Sequence, residues 1–122
     1  MNACVLVVDD EAHVLQVMRT FLERAGFVVH TASNGVDGYK VFEETQPDAI
    51  ITDFEMPQRN GRELIEQVLL SDTSTPSLIY LVTSRTDVEL RDWVERTERV
   101  FFLEKPASPR RLVHNQIGRA HV

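Results

Sequence analysis

The chain has 122 residues, of which 43% are hydrophobic and 26% charged, and its formal net charge is −6. This composition is typical of a single globular domain, and the negative charge argues against direct binding to nucleic acid or to an anionic membrane surface. Because the chain has one cysteine, no run of about 20 apolar residues and no signal-peptide pattern, we expect no internal disulfide, no membrane span and a location in the cytoplasm.

Five short apolar segments have the composition of buried β-strands. They are Cys4–Val8, Phe27–Ala32, Ala49–Thr52, Ser77–Val82 and Val100–Leu103. Between them, apolar residues recur three or four positions apart, which is typical of helices that bury one face. The order is (βα)₅, and it predicts an α/β fold in which a five-stranded parallel sheet is doubly wound, with helices on both faces.

The predicted helices begin and end at residues with suitable local chemistry. Gly and Asn are common at helix ends, Asp and Thr cap helix starts, and Pro fits the first turn. Residues with these roles are Gly26 at the end of the first helix, Asn34 before the second, Thr86 or Asp87 before the fourth, and Ser108 with Pro109 at the start of a last helix. The third helix is predicted over 61–70.

Polar side chains lie at the carboxyl ends of three predicted strands. Asp9 and Asp10 follow the first strand, Asp53 follows the third, and Lys105 comes shortly after the fifth. In a parallel sheet these ends open into one crevice, where doubly wound folds bind ligands. A single Asp at such a place is often a helix cap or turn residue, so Asp10 could cap the first helix. Three acids together favour a divalent, oxygen-binding cation such as Mg²⁺.

A longer motif joins this group of acids. The pattern Asp-x-x-Met-Pro-x-x-x-Gly is formed by Asp53, Met56, Pro57 and Gly61, and Lys105 is followed by Pro106. With Asp9–Asp10, this set resembles the receiver domain of two-component response regulators, from Val5 to about Ile117. The resemblance implies a receiver domain over residues 1–116, with the flavodoxin-like strand order 2-1-3-4-5.

The resemblance also implies roles in phosphoryl transfer. Asp53 would be the phosphoacceptor, attacking a phosphohistidine of a partner as a covalent nucleophile. Asp10 and Asp53 would bind Mg²⁺ (or Mn²⁺) directly, Asp9 mainly through water, and Glu55 through its backbone carbonyl. Lys105 would pair with the carboxylate and the phosphoryl oxygens. Such a protein is a switch and not an enzyme, beyond catalysing its own phosphorylation and dephosphorylation.

Further positions would transmit the signal. Thr83, with Ser84 as a competing candidate, would supply a hydroxyl to the phosphoryl group. Phe102 matches the aromatic switch position of the family, although plain core packing explains it almost as well. The resemblance implies a cis peptide bond between Lys105 and Pro106, which only X-Pro bonds adopt readily.

The partners follow from the same resemblance. They are a sensor histidine kinase or phosphotransfer protein, and a downstream protein or missing output domain that contacts the face formed by helix four, strand five and helix five. A homodimer could form on phosphorylation. We also considered that Glu55 and Arg85 form an ion pair that screens the phosphoryl group.

Two other functions and one oddity of the sequence remain open at this point. A phosphatase of the haloacid dehalogenase type also uses strand-end acids, but it carries Asp-x-Asp, whereas Asp9 and Asp10 are adjacent. A binding module that works without phosphorylation could have kept the pocket. Residues 117–122 read Ile-Gly-Arg-Ala-His-Val, which matches a translated sequencing adapter, so we treat them as a tail and hypothesise that it is not native.

Overall fold

The computed structural model describes residues 2–71, 77–85 and 87–105. The strands are β1 (Cys4–Val8), β2 (Val28–Ala32), β3 (Ala49–Asp53), β4 (Leu78–Thr83) and β5 (Val100–Glu104), and the helices are α1 (Ala12–Arg24), α2 (Gly35–Thr45), α3 (Gly61–Leu70) and α4 (Val88–Arg96). All strand pairs are parallel, in the order β2-β1-β3-β4-β5. The predicted fold and strand order are therefore confirmed. The predicted last helix, Pro106 and the tail lie outside the described residues.

Two of the strands that carry the site, β3 and β4, end one residue later than predicted. Asp53 is the last residue of β3 and pairs with Val82, and Thr83 is the last residue of β4 and pairs with Glu104. Both polar side chains interrupt the apolar run, so the pattern alone placed them just after the strands. As part of the ladder, each has a backbone fixed by its neighbouring strand.

Side-chain caps fix the starts of three helices. The Asn34 side chain accepts the backbone N–H of Asp37 at the start of α2. Asn60 and Glu63 form a reciprocal capping box at the start of α3. Asp87, one of the two predicted caps, accepts the N–H of Leu90 at 2.9 Å and begins α4. Two of these helices, α3 and α4, follow strands that carry site residues, β3 and β4.

Two apolar clusters cover the two faces of the sheet. On one face, side chains of β1, β3 and β4 pack with those of α2, α3 and α4, including Phe42, Leu64 and Trp93. On the other face, they pack with Met18 and Leu22 of α1. Because both faces of the sheet are covered in this way, the strand sequences are continuous apolar runs.

The starts of β1, β3 and β4 are joined by hydrogen bonds that close this end of the sheet. The Asp48 carboxylate accepts the N–H of Cys4 at 2.7 Å, and the backbone carbonyl of Asp48 accepts the N–H of Leu78 at 3.0 Å. The Ser77 hydroxyl donates to the Pro47 carbonyl at 2.5 Å.

None of the helices in the described part of the chain is long and apolar enough to cross a membrane.

Candidate functional site

The three predicted acids meet at the carboxyl edge of the sheet. One carboxylate oxygen from each of Asp9, Asp10 and Asp53 lies within 4.8 Å of the others. Asp9 and Asp53 are buried, whereas Asp10 is exposed. The neighbouring positions of β1 and β3 in the sheet explain this convergence, since the acids follow or end two adjacent parallel strands.

Asp9 has a structural role that the sequence did not indicate. Its Oδ1 accepts the backbone N–H of Glu11 at 2.9 Å, so it shapes the turn into α1. The residue that caps α1 is Glu11, which makes no side-chain cap hydrogen bond, and the alternative role of Asp10 as a helix cap is therefore not observed. Asp10 is left with an exposed carboxylate beside two buried ones.

Lys105 reaches the most buried of the three acids. Its Nζ lies 2.8 Å from Asp53 Oδ1, and the Asp53 side chain is only 4% exposed. Among the described residues, Oδ1 has no hydrogen-bond partner of good geometry, so this ion pair supplies its charge compensation. The contact confirms that Lys105 and Asp53 share one pocket.

Burial and crowding shift the pKa values of these groups. Burial raises the pKa of Asp9 to about 6, opposed by the Glu11 N–H, with repulsion from Asp53 adding to the increase. Burial also raises the pKa of Asp53, although contact with Lys105 opposes it. For Lys105, burial alone would lower the pKa, but the contact with Asp53 and the negative charges of Asp53, Asp9 and Glu11 raise it. Asp9 and Asp53 therefore carry their charges at an energetic cost that a cation would relieve.

The arrangement fits a hard divalent cation. Oxygens bound to one Mg²⁺ at about 2.0–2.1 Å are at most about 4.2 Å apart. The three oxygens lie within 4.8 Å of one another. Small side-chain movements would bring them to the separation that one Mg²⁺ requires. The donors are carboxylates, which Mg²⁺ prefers, and the Lys105 ammonium beside Asp53 Oδ1 balances only one of the three negative charges. The three acids could thus hold a metal ion.

We expect Mg²⁺ binding to weaken about tenfold between pH 8 and pH 5, because a proton on Asp9, with its pKa of about 6, competes with the metal. Calorimetric titration in buffers of different ionisation enthalpy measures both the affinity and the protons released. Asp9→Asn should bind more weakly and lose most of this pH dependence. An unchanged affinity across this range in the wild type would contradict the interpretation.

The same shift links the metal-free fold to pH. The folded protein binds more protons than the unfolded chain between the ordinary Asp9 pKa of 3.8 and about 6. The Asp9 contribution therefore lowers the free energy of unfolding as the pH rises through that range, by at most about 3 kcal/mol.

The remaining predicted site residues lie around this pocket. Thr83 is buried, and its carbonyl accepts the N–H of Lys105 at 3.0 Å, whereas Ser84 is exposed. Glu55 is exposed on the loop after β3. Phe102 is partly buried against the core, and the guanidinium of Arg91 lies 4.6 Å from its ring centroid. Thr83 is thus adjacent to the Lys105 backbone.

Gly61 allows the loop after Asp53 to return close to the strand. A Cβ at this position would lie 2.4 Å from the Asp53 carbonyl oxygen and 2.9 Å from Phe54 Cα. The Gly61 N–H also donates to the Phe54 carbonyl at 2.8 Å. This motif glycine therefore fixes the backbone that carries the proposed phosphoacceptor.

Gly61→Ala should lower the free energy of unfolding by about 1–3 kcal/mol, because backbone atoms have to move. Urea denaturation measures this change. Gly38→Ala is the matched control, since its added methyl group would meet only side-chain atoms of Val8 and Leu64, at 3.2–3.3 Å. Equal losses in the two variants would show that the contact with the Asp53 backbone is unimportant.

Sequence reasoning missed the surroundings of Arg85. The expected pair with Glu55 is replaced by a 2.7 Å ion pair with Asp87, and the guanidinium lies 4.8 Å from the Phe54 ring centroid. The Arg85 N–H also donates to Thr83 Oγ1 at 3.0 Å. A charge two positions before a helix cap was the only available signal, and it does not specify the partner.

Comparison with known proteins identifies close similarities. The family described as "Response regulator receiver domain" matches residues 5–116. The chain is 33% identical to the alkaline phosphatase synthesis transcriptional regulatory protein PhoP of Bacillus subtilis, over 90% of this chain and 45% of that protein. It is 32% identical to the probable transcriptional regulator ycf27 of Guillardia theta, over 88% of this chain and 41% of that protein. The chain thus spans less than half the length of these relatives.

Solved structures show the same fold. The chemotaxis protein CheY4 of Vibrio cholerae superposes with a TM-score of 0.87 at 28% identity, covering 98% of this chain and 99% of that one. A response regulator receiver domain protein from Clostridium thermocellum gives a TM-score of 0.81 at 29% identity, covering 98% and 97%. The likeness therefore extends over nearly the whole chain.

Proposed function

Because this chain belongs to the family of response regulator receiver domains and so serves phosphorelay signalling, we propose that Asp53 is its phosphoacceptor. The observation that carries the proposal is the buried Asp53 carboxylate, 2.8 Å from Lys105 and within the three-acid cluster. No feature of the site favours the phosphatase or the phosphorylation-independent module considered above.

The proposed step is an in-line displacement at phosphorus. An Asp53 oxygen forms the new P–O bond while the P–N bond of a phosphohistidine breaks, and the departing imidazole keeps the electron pair and takes up a proton from water. Asp53 is held at the end of β3, so positioning supplies much of the catalysis. Lys105 would neutralise charge on the phosphoryl oxygens, and the buried Thr83 hydroxyl would donate to one of them.

A metal would complete the charge balance of the pocket. We propose that Asp9, Asp10 and Asp53, with the carbonyl of Glu55, hold Mg²⁺ or Mn²⁺, which when bound offsets the negative charge of the phosphoryl group. Without it, Lys105 alone would face the two remaining carboxylates and, on phosphorylated Asp53, a group of charge about −1.5 to −2. The crowding of the three acids, two of them buried, supports this assignment.

The proposal extends to the partners. A histidine kinase or phosphotransfer protein would supply the phosphoryl group in the cytoplasm. The signal would leave through the face near α4 and β5, where Phe102 lies under Arg91, toward a downstream protein, an output domain or a second copy of the chain.

The test is incubation with acetyl phosphate, with and without Mg²⁺, followed by intact mass and peptide mapping. We expect a metal-dependent gain of one phosphoryl group at Asp53 and a change in Trp93 fluorescence, which beryllofluoride should reproduce. Label at another residue would displace the assignment. Sustained turnover of small phosphate esters would favour the phosphatase instead.

A further inference from the structure

Arg85 joins three parts of the molecule that surround the site. Its backbone N–H donates to Thr83 Oγ1 at 3.0 Å, at the end of β4. Its guanidinium lies over the ring of Phe54, the residue that follows Asp53. It also binds Asp87, the cap of α4, through Nε at 2.8 Å and Nη2 at 2.7 Å, both to Oδ2. One side chain therefore touches the loop after β3 and the start of α4, while its own backbone holds the Thr83 hydroxyl.

Each anchor of Arg85 is itself held in place. Phe54 is buried, donates its N–H to the Val82 carbonyl at 3.0 Å and accepts the N–H of Gly61 at 2.8 Å. Asp87 divides its carboxylate: Oδ1 accepts the N–H of Leu90, and Oδ2 takes the guanidinium. Through these contacts the Arg85 backbone, and with it the donor to Thr83, is fixed relative to both neighbours.

The hydrogen bond to Thr83 has a defined polarity. Because Thr83 Oγ1 accepts from Arg85, its hydroxyl proton remains available to a further acceptor. The direction of the bond thus matches the proposed donation to a phosphoryl oxygen. A rotated Thr83 hydroxyl would aim that proton elsewhere.

We propose that Arg85 is a positioning residue that couples the orientation of the Thr83 hydroxyl to the start of α4 through its contacts with Phe54 and Asp87. This inference rests on the proposed function, since Thr83 matters only if Asp53 is phosphorylated. An exposed ion pair alone contributes little. Here the Arg85–Asp87 pair acts together with the contact on the Phe54 ring and the backbone hydrogen bond to Thr83. We therefore expect its effect on the rate of phosphoryl transfer rather than on the free energy of unfolding.

The test measures the rate of Asp53 phosphorylation by acetyl phosphate with Mg²⁺. Arg85→Ala and Asp87→Asn should each slow the reaction about three- to tenfold. Asn keeps the helix cap while removing the charge, so α4 stays intact. The double variant should be no slower than the slower single variant, because both changes break the same link. Arg85→Lys should fall between Ala and the wild type, since it keeps the charge but not the planar contact.

A second cycle separates positioning from a general structural effect. In a Thr83→Ala background, Arg85→Ala should cause no further slowing, because the hydroxyl it positions is gone. The matched control is the exposed pair Arg96 and Asp92, joined at 2.9 Å on α4. Arg96→Ala and Asp92→Asn should react at the wild-type rate, with circular dichroism confirming that all variants fold.

The outcomes are distinct for the two proposals. If the wild type gains no label at Asp53, the proposed function itself fails. If the wild type is labelled but Arg85→Ala reacts within twofold of it, or slows the Thr83→Ala protein as much as the wild type, the positioning role of Arg85 is overturned.

Discussion

Asp53→Asn is expected to end phosphorylation while making the metal-free protein more stable. The nucleophilic oxygen is replaced by an amide, so acetyl phosphate should add no mass. The same change removes a charge that burial disfavours, as the raised pKa of Asp53 indicates. Because the folded protein favours the protonated acid, ionised Asp53 lowers stability at neutral pH, and the neutral Asn should increase the free energy of unfolding.

Urea denaturation at pH 7 and pH 5, in the presence of a chelator, measures this gain. It should shrink as the pH falls, because the raised pKa of Asp53 makes this carboxyl lose its charge at a higher pH than an ordinary Asp. Asp48→Asn is the control at the opposite end of β3. The Asp48 carboxylate accepts the N–H of Cys4, so the substitution should weaken that hydrogen bond and lower the free energy of unfolding. An Asp53→Asn protein less stable than the wild type would contradict the electrostatic account.

Lys105→Met should separate metal binding from phosphoryl transfer. Without the ammonium 2.8 Å from Asp53, charge on the transferring group is poorly neutralised, and we expect phosphorylation to slow about 100-fold. Mg²⁺ binding should stay the same or tighten by a fewfold, because one positive charge that repels the ion has been removed. The two measurements therefore move in different directions.

The apolar Met side chain replaces the Lys stem and lacks only the terminal ammonium, so most of the packing is preserved. Lys40→Met is the matched control, since Lys40 is exposed on α2 and is the other lysine of the chain. It should alter neither quantity. Loss of both metal binding and labelling in Lys105→Met would indicate a collapsed pocket rather than a missing charge.

The convergence of the acids could be predicted because it follows from topology. Asp9, Asp10 and Asp53 lie at the ends of adjacent parallel strands, and any right-handed βαβ arrangement brings such ends together. Lys105 follows from the same rule, one strand beyond Thr83. The motif with Gly61 added the identity of the family, which geometry alone would not have supplied.

Side-chain partners on the surface could not be predicted in this way. Arg85 contacts Asp87 and Phe54 rather than Glu55. These contacts depend on side-chain torsion angles and on a loop conformation, and neither produces a periodic pattern in the sequence. The hydrogen bond from the Glu11 backbone N–H to the Asp9 carboxylate also depends on local backbone geometry. Strand ends were missed by one residue because Asp53 and Thr83 are polar within a hydrogen-bonded ladder.

The two ends of the sheet are built in opposite ways. At the starts of the strands, Asp48 and Ser77 connect β1, β3 and β4 through hydrogen bonds. At the acidic edge, repelling carboxylates meet one ammonium. Amide hydrogen exchange should therefore be slowest near Cys4 and Leu78 and fastest in the loops beside Asp9 and Asp53. A rearrangement that begins at the acidic edge should decay along the strands, so that it spreads sideways into α4 and not down to the opposite end.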